Sequence, residues 1–398
     1  MIPRRKAHIL PGEFCKALWA CQEEKNFSVS CVGRWEEAFA RYNGSQFAVS
    51  TGSGRLGLEL ILRALELKQA DEVIIPAYTL KDLVGIIQSL GLVAVPADID
   101  NETFNISQES IEKRVTSRTK VILATHLFGA PCEIIKIQEI ARKNSIFVIE
   151  DCAHAAGAVF QGHKVGSFGD ASFFSFETMK PINTYGGGMV VTNSQRLADS
   201  IRLISAGFRI DENVPTAKVI STLCETGFLS TPLAYPALYM MASRGWSTYC
   251  SAIYRRVQKP AGRKTFSDFQ ALVGLEKLKS LDERIKARNK KAQTLRESLS
   301  DSIKIQSIIP GSLSSYYFFV AIVDSDVWKT RKFLLRRGID AGIGSEIADD
   351  CAMLLGYHDC PNAKKVFERA IQIPLYEDIS ERAIKYVAKT LSTSVKEK

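Results

Sequence analysis

Three parts of the chain carry residues whose types and spacing could do chemistry. Asp151 follows the apolar run Ile146–Ile149, which reads as a buried strand, so its carboxylate emerges at the strand's carboxyl end. An isolated buried charge is costly, so that carboxylate must face a cation or a ligand. A helix cap or a structural ion pair is the blander reading. Lys180 closes the segment Ser175-Phe-Glu-Thr-Met-Lys180, ahead of Gly186-Gly187-Gly188 and the strand Met189–Thr192. A lysine before glycines is, alone, ordinary surface punctuation. Gly52-Ser53-Gly54-Arg55-Leu56-Gly57 follows a strand and opens a helix, where backbone N–H groups can hold a phosphate. The same pattern matches the dinucleotide fingerprint. However, its acid about twenty positions on, Asp71, precedes the next strand, whereas a ribose-binding acid follows it.

The combination is more informative than its parts. Chemistry on pyridoxal 5'-phosphate needs a lysine amine for a Schiff base and an acid to keep the pyridine nitrogen protonated. It also needs a cup of hydroxyls and backbone N–H groups for the phosphate. Lys180, Asp151, and Ser175 with the Ser53–Gly54 turn could supply all three.

These residues need a frame to bring them together. The strand candidates are Gln46–Ser50, Glu72–Ile75, Val93–Asp98, Lys120–Thr125, Ile146–Glu150, Ala171–Phe174 and Met189–Thr192. Amphipathic helical stretches, Arg55–Leu67, Leu80–Leu90 and Ile134–Lys143, lie between the earlier ones. Strands alternating with helices predict an α/β fold with a mainly parallel sheet of seven strands. Ligands bind such sheets beyond the carboxyl ends of the strands, where each candidate residue falls. From Phe266 the texture changes to a long helical pattern, Asp268–Leu299, then a strand at Tyr316–Val323 and helices at Trp328–Arg337 and Ser380–Leu391. The chain is thus expected to divide into a large part, 1–265, and a smaller α+β part, 266–398.

Bulk properties narrow the class. At 398 residues, 46% hydrophobic and 24% charged, the chain suits two globular domains. Its net charge of +9 is spread along the length instead of gathered on one stripe, which argues against nucleic acid as a partner. Nine cysteines, an odd number without a CxxC pair, predict reduced thiols, no metal centre and a cytoplasmic protein. Basic Arg4–Lys6 is not followed by an apolar core before Glu13, so no secretory signal is expected. The only low-complexity stretch is the tail Ser392–Lys398.

The ordered motifs resemble those of the DegT-type sugar aminotransferases, over roughly four-fifths of the chain. They include Arg34-Trp-Glu-Glu-Ala-Phe-Ala, Gly52-Ser-Gly54, Pro76-Ala-Tyr-Thr, Ala97-Asp-Ile-Asp, Thr125-His-Leu-Phe-Gly and Glu150-Asp-Cys-Ala-His. Gly166-Ser-Phe-Gly-Asp, the Ser175–Lys180 segment, Ser267-Asp-Phe-Gln-Ala and Ile373-Pro-Leu-Tyr continue the match, and Asp151 and Lys180 have the family's spacing. The resemblance implies a fold-type I enzyme. Lys180 would form the aldimine and shuttle a proton, Asp151 would partner the pyridine nitrogen, and His154 would contact the ring-hydroxyl side. Ser175, Ser53 and Gly54 would hold the phosphate. It also implies a homodimer that transfers an amino group, typically from glutamate, to a keto sugar linked to a nucleotide.

Several positions depart from the family. Leu80 stands where an aromatic usually stacks on the pyridine ring, leaving Tyr78 or aliphatic packing to replace it. Pro181 replaces the usual Asn, and Gly227-Phe-Leu-Ser-Thr replaces a phosphate-holding segment of the neighbouring subunit. An apparent insertion of about thirty residues, Thr231 to Lys264, takes in most of the uncharged run Thr226–Ser243 and ends on a basic flank. It can be read as a lid or dimer element, as an interfacial segment giving peripheral membrane contact and access to a lipid-linked or amphiphilic keto substrate, or as a span. Leu80 and the altered segment also admit a catalytically idle, cofactor-binding regulatory homologue.

Overall fold

The computed structural model describes residues 1–13, 15, 30–210, 218–224, 236, 240 and 264–396. Nearly all of the 231–264 insertion and the Gly227–Thr231 segment lie outside them. Among the described residues, no helix is long and apolar enough to cross a membrane. Cys15, Cys31, Cys132, Cys152, Cys224, Cys351 and Cys360 are all free thiols, and Cys21 and Cys250 lie outside the described residues.

All seven strand candidates form, each within a residue or so of its expected ends. They are β1 Phe47–Thr51, β2 Glu72–Pro76, β3 Val93–Ala97, β4 Thr119–Thr125, β5 Phe147–Asp151, β6 Ala171–Ser175 and β7 Gly188–Thr192. They make one sheet in the order β1-β7-β6-β5-β4-β2-β3. Every neighbouring pair is parallel except those made by β7, which is antiparallel to both β1 and β6.

Helices cover both faces: α1 Cys31–Asn43, α2 Gly54–Ala64, α3 Lys81–Ser89, α4 Gln108–Arg114, α5 Ile134–Asn144 and α6 Gln195–Ser205. Alternate strand residues point to opposite layers. Ile74, Ile122, Val148, Phe174 and Val191 join Trp35, Phe39 and Ile137 on one face. Val73, Val121, Ile149, Phe173 and Val190 join Leu58, Ile61, Leu83 and Ile201 on the other. Burial on both sides explains why the central strands are continuous apolar runs.

The C-terminal part departs from expectation in three places. The helical pattern Asp268–Leu299 is two helices, α7 Asp268–Leu278 and α8 Leu281–Ser298. Ser280, at φ −105° and ψ 2°, breaks the run, letting Leu281 and Ile285 turn onto Gly157. The strand expected over Tyr316–Val323 is confined to β8, Phe319–Ile322, because Tyr316 takes a left-handed backbone (φ 44°) that no strand can continue through. The last helix runs from Glu381 to Lys396, past the expected end at Leu391. Between lie α9 Val327–Arg336, the two-residue strand β9 Gly342–Ile343, α10 Pro361–Arg369 and β10 Ala370–Ile373. Lys304–Ile305, β8, β10 and β9 form an antiparallel sheet in that order. It is joined to the large sheet by a shared apolar cluster, in which Tyr78, Phe104 and Phe128 meet Phe318, Val320 and Val366.

A buried ion pair ties the N-terminal segment to α7. Lys277 has no exposed surface and donates to Glu13 Oε1 at 3.1 Å and to the His8 carbonyl at 2.9 Å. Burial outweighs the Glu13 charge and lowers the amine to about 8. The folded protein therefore releases this proton at a lower pH than the unfolded chain. Its stability should rise from about pH 8 to about pH 10, by up to about 1.4 kcal/mol per unit. Urea unfolding of Lys277→Met should lose that rise, and an unchanged slope would contradict the assignment.

Candidate active site

The candidate residues converge at the carboxyl edge of β5 and β6. Asp151 ends β5, in register between Thr125 of β4 and Phe173 of β6. Only 6% of it is exposed. Its Oδ1 accepts the Ala153 N–H at 2.9 Å, and its Oδ2 accepts the Thr125 hydroxyl at a long 3.5 Å. Burial raises its pKa, against the Ala153 N–H and the charge of Lys180. His154 follows on the turn after β5, and burial with the Lys180 charge lowers its pKa well below the usual value, so its imidazole is neutral. Its Nδ1 is enclosed without a hydrogen-bond partner.

Lys180 sits on a folded-back loop after β6. That loop is closed by hydrogen bonds from Phe176 N–H to the Gly187 carbonyl (3.0 Å), Gly186 N–H to the Phe176 carbonyl (3.1 Å) and Lys180 N–H to the Glu177 carbonyl (2.8 Å). Lys180 Nζ lies 4.6 Å from the centre of the Tyr317 ring, and that ring stacks on His154 at 4.4 Å. Lys180 thus acts electrostatically on both Asp151 and His154.

The residues expected to hold a phosphate lie at the start of α2 and the ends of β6 and β7. Ser53 is the N-cap of α2, its Oγ accepting the Leu56 N–H at 3.1 Å. The helix therefore turns its positive end towards this edge of the sheet. Gly54 lies close enough to β6 that a Cβ on it would stand 3.0 Å from the Phe174 carbonyl and 3.1 Å from Ser175 Cβ. Gly188, paired with Ser175, is tighter still: a Cβ there would fall 2.6 Å from both Gly54 N and the Phe174 carbonyl oxygen. Both are backbone atoms, which do not yield cheaply. Gly188→Ala is expected to cost about 1–3 kcal/mol of stability and to weaken phosphate-dependent binding. Thermal unfolding and cofactor titration check both.

Tyr78 does not take the role of the stacking aromatic. Its ring is fully buried against Phe128, at 6.2 Å, and its hydroxyl donates to the Gly344 carbonyl at 2.8 Å. Leu80, half-buried, packs with the α2–α3 layer instead.

Behind Asp151 lies a cluster of metal-ligand types, His126, Glu150 and Cys152. His126 and Glu150 are already engaged within the fold. His126 Nε2 meets Glu150 at 2.9 Å and His126 Nδ1 accepts the Cys132 N–H at 3.1 Å. Glu150 also accepts the N–H groups of Gly166, Phe168 and Gly169 at 2.7–2.8 Å. The cluster locks the Gly166–Gly169 loop behind β5, a structural duty.

Sequence reasoning overlooked the C-terminal contribution. Ser315, Tyr317 and Phe318 reach the site from the loop before β8, with Ser315 Oγ donating to the His154 carbonyl at 2.6 Å and Phe318 lying 5.8 Å from the imidazole. In the sequence, Tyr316-Tyr-Phe-Phe reads only as a strand.

This edge of the parallel sheet thus gathers an amine, a buried carboxylate, a neutral imidazole and a helix N-terminus. The sequence matches the DegT/DnrJ/EryC1/StrS aminotransferase family over residues 13–392, and the chain belongs to that family. It is accordingly an aminotransferase. Uncharacterized protein MJ1066 of Methanocaldococcus jannaschii is 30% identical over 87% of this chain and 86% of its own. GDP-perosamine synthase of Escherichia coli O157:H7 is 43% identical over 42% of this chain and 46% of its own. The fold matches that of a putative sugar aminotransferase, Spr1654 of Streptococcus pneumoniae in its PLP form. The TM-score is 0.78 at 20% identity, covering 99% of this chain and 98% of that one.

Proposed function

We propose that this aminotransferase binds pyridoxal 5'-phosphate between Asp151, His154, Lys180 and the Ser53–Gly54–Ser175 cup, and aminates a keto sugar linked to a nucleotide, with glutamate as donor. The observation that carries the reading is the pairing of two unmet needs. Asp151 is a buried carboxylate without a full counter-charge, and His154 Nδ1 is an enclosed polar atom without a partner. A protonated pyridine nitrogen and a ring hydroxyl supply what each lacks. When bound, the cofactor supplies an electron sink for the carbon that exchanges its amino group.

This chain's own residues do the rest. Asp151 keeps its charge once a cation faces it, and so holds the ring nitrogen protonated. Lys180 would hold the cofactor through its amine and would carry the proton at the reacting carbon. His154, kept neutral, can accept or donate on the hydroxyl side. Ser53, Gly54 and Ser175 orient the phosphate at the positive end of α2.

The nucleotide-linked keto sugar follows from the GDP-perosamine synthase relative. The test is an absorbance titration of the purified protein with pyridoxal phosphate. Incubation with glutamate and candidate nucleotide keto sugars then follows, with 2-oxoglutarate formation measured. A visible band of lysine-bound cofactor and sugar-dependent 2-oxoglutarate are expected. No band after reconstitution would reject the cofactor, while a band without turnover on any nucleotide sugar would reject the substrate class.

A further inference from the structure

We propose that Tyr317 is a positioning residue of the active site, delivered by the strained Ser314–Phe318 segment, which aligns the His154 imidazole and gives the free Lys180 amine a resting face. The inference deepens the reading above and rests on its assignment of Lys180 and His154.

The segment is held on both sides of Tyr317 by named contacts. The Ser314 hydroxyl and the Ser315 N–H both donate to the Gly129 carbonyl, at 2.9 and 3.0 Å. The Ser315 hydroxyl donates to the His154 carbonyl at 2.6 Å, and the Phe318 N–H donates to the Phe128 carbonyl at 3.2 Å. From the other side, α8 holds the carbonyls. Asn289 donates to Ser314 O at 2.7 Å, and Arg288 reaches the Ser315 and Tyr316 oxygens at 3.4 Å. Arg288 is itself held by Glu377, at 3.1 Å.

Within this frame Tyr316 is forced to φ 44°, a left-handed backbone that is strained for a residue with a side chain. Strain of that kind persists only where the surroundings over-determine it, and what it achieves here is the placement of the next residue. Gly129 shows how close the knot is. At φ 94° it leaves no room for a Cβ, which would overlap Ser315 Oγ and stand 3.1 Å from the His154 carbonyl.

The outcome is a ring with two clients. The Tyr317 face lies 23° from parallel to His154 at 4.4 Å, and Lys180 Nζ sits 4.6 Å from its centroid. An imidazole that uses its enclosed Nδ1 must hold one rotamer, and a parallel ring restrains that rotation. An amine that alternately releases and retakes the cofactor needs a defined place between those events, and the negative face of a phenol ring provides one.

The test compares Tyr317→Phe, which keeps the ring, with Tyr317→Leu, which keeps bulk and loses the face. The cofactor-reconstituted protein is assayed for kcat and for the KM of glutamate. The imidazole C–H resonances of His154 are recorded in the cofactor-free protein. Tyr317→Leu is expected to lower kcat about tenfold with KM within about twofold, and to shift the His154 resonances downfield as the ring current disappears. Tyr317→Phe is expected to stay within about threefold and to keep the shifts. Equal losses in both variants would overturn the proposal in favour of a role for the hydroxyl. An unchanged kcat in Tyr317→Leu, even with lowered thermal stability, would also overturn it. Should Tyr317→Leu not fold, Tyr317→Met makes the same comparison. Wild-type protein that binds no pyridoxal phosphate would sink the functional reading instead, a result read in a different sample.

Discussion

Lys180→Ala is expected to slow amino transfer by about 10⁴-fold, the upper end of what a single positioned acid–base group contributes. The loop that carries Lys180 is closed by main-chain hydrogen bonds among Phe176, Glu177, Gly186 and Gly187, so the substitution should leave the loop in place. The defect is then chemical. On the proposed reading, cofactor can still be cupped by Ser53, Gly54 and Ser175, but the amine that would anchor it and move the proton is gone. Added small primary amines should restore part of the rate in proportion to their basicity, and rapid-mixing assays across such a series check this. A loss that no amine repairs would point to a folding defect.

Asp151→Asn is expected to have opposite effects on stability and activity. Asparagine keeps the shape of the side chain, and with it contact to Ala153 and Thr125, but removes the charge. Burial raises the pKa of Asp151 above its unfolded value. A carboxyl raised in this way supports folding when protonated, and that support is lost as the pH rises through its folded pKa. At neutral pH the cofactor-free variant should therefore be more stable than the wild type, by about 0.5–2 kcal/mol. The same change should lower kcat by about 10²–10³-fold, because no negative charge then keeps the ring nitrogen protonated. Thermal unfolding of both cofactor-free proteins, beside a turnover assay of both loaded ones, tests the pair. A variant less stable and fully active would contradict both halves.

Much of the large part was legible because its signals are local. Val73–Ile75 and Val121–Ala124 are unbroken apolar runs since helices cover both faces, and Ser53 caps the helix that its position predicted. Asp151 and Ser175 were found from their place at strand ends, and that is where they stand. The C-terminal contribution was hidden for the opposite reason. Tyr316 has every propensity of a strand residue, and only contacts from Gly129, His154, Arg288 and Asn289, all distant in sequence, bend it out of one. The choice between Tyr78 and aliphatic packing as the replacement for the stacking aromatic is hidden in the same way. Being aromatic and next to the site, Tyr78 suited stacking, yet Gly344 and Phe128 from elsewhere claim its hydroxyl and its ring.

The whole account depends on which amine takes the cofactor. Borohydride reduction of the protein loaded with pyridoxal phosphate, followed by digestion and mass spectrometry, reads that directly. The predicted result is one phosphopyridoxyl group per chain, on the peptide that contains Lys180. Attachment at Lys218 or Lys277 with Lys180 unmodified, or no attachment at all, would contradict it.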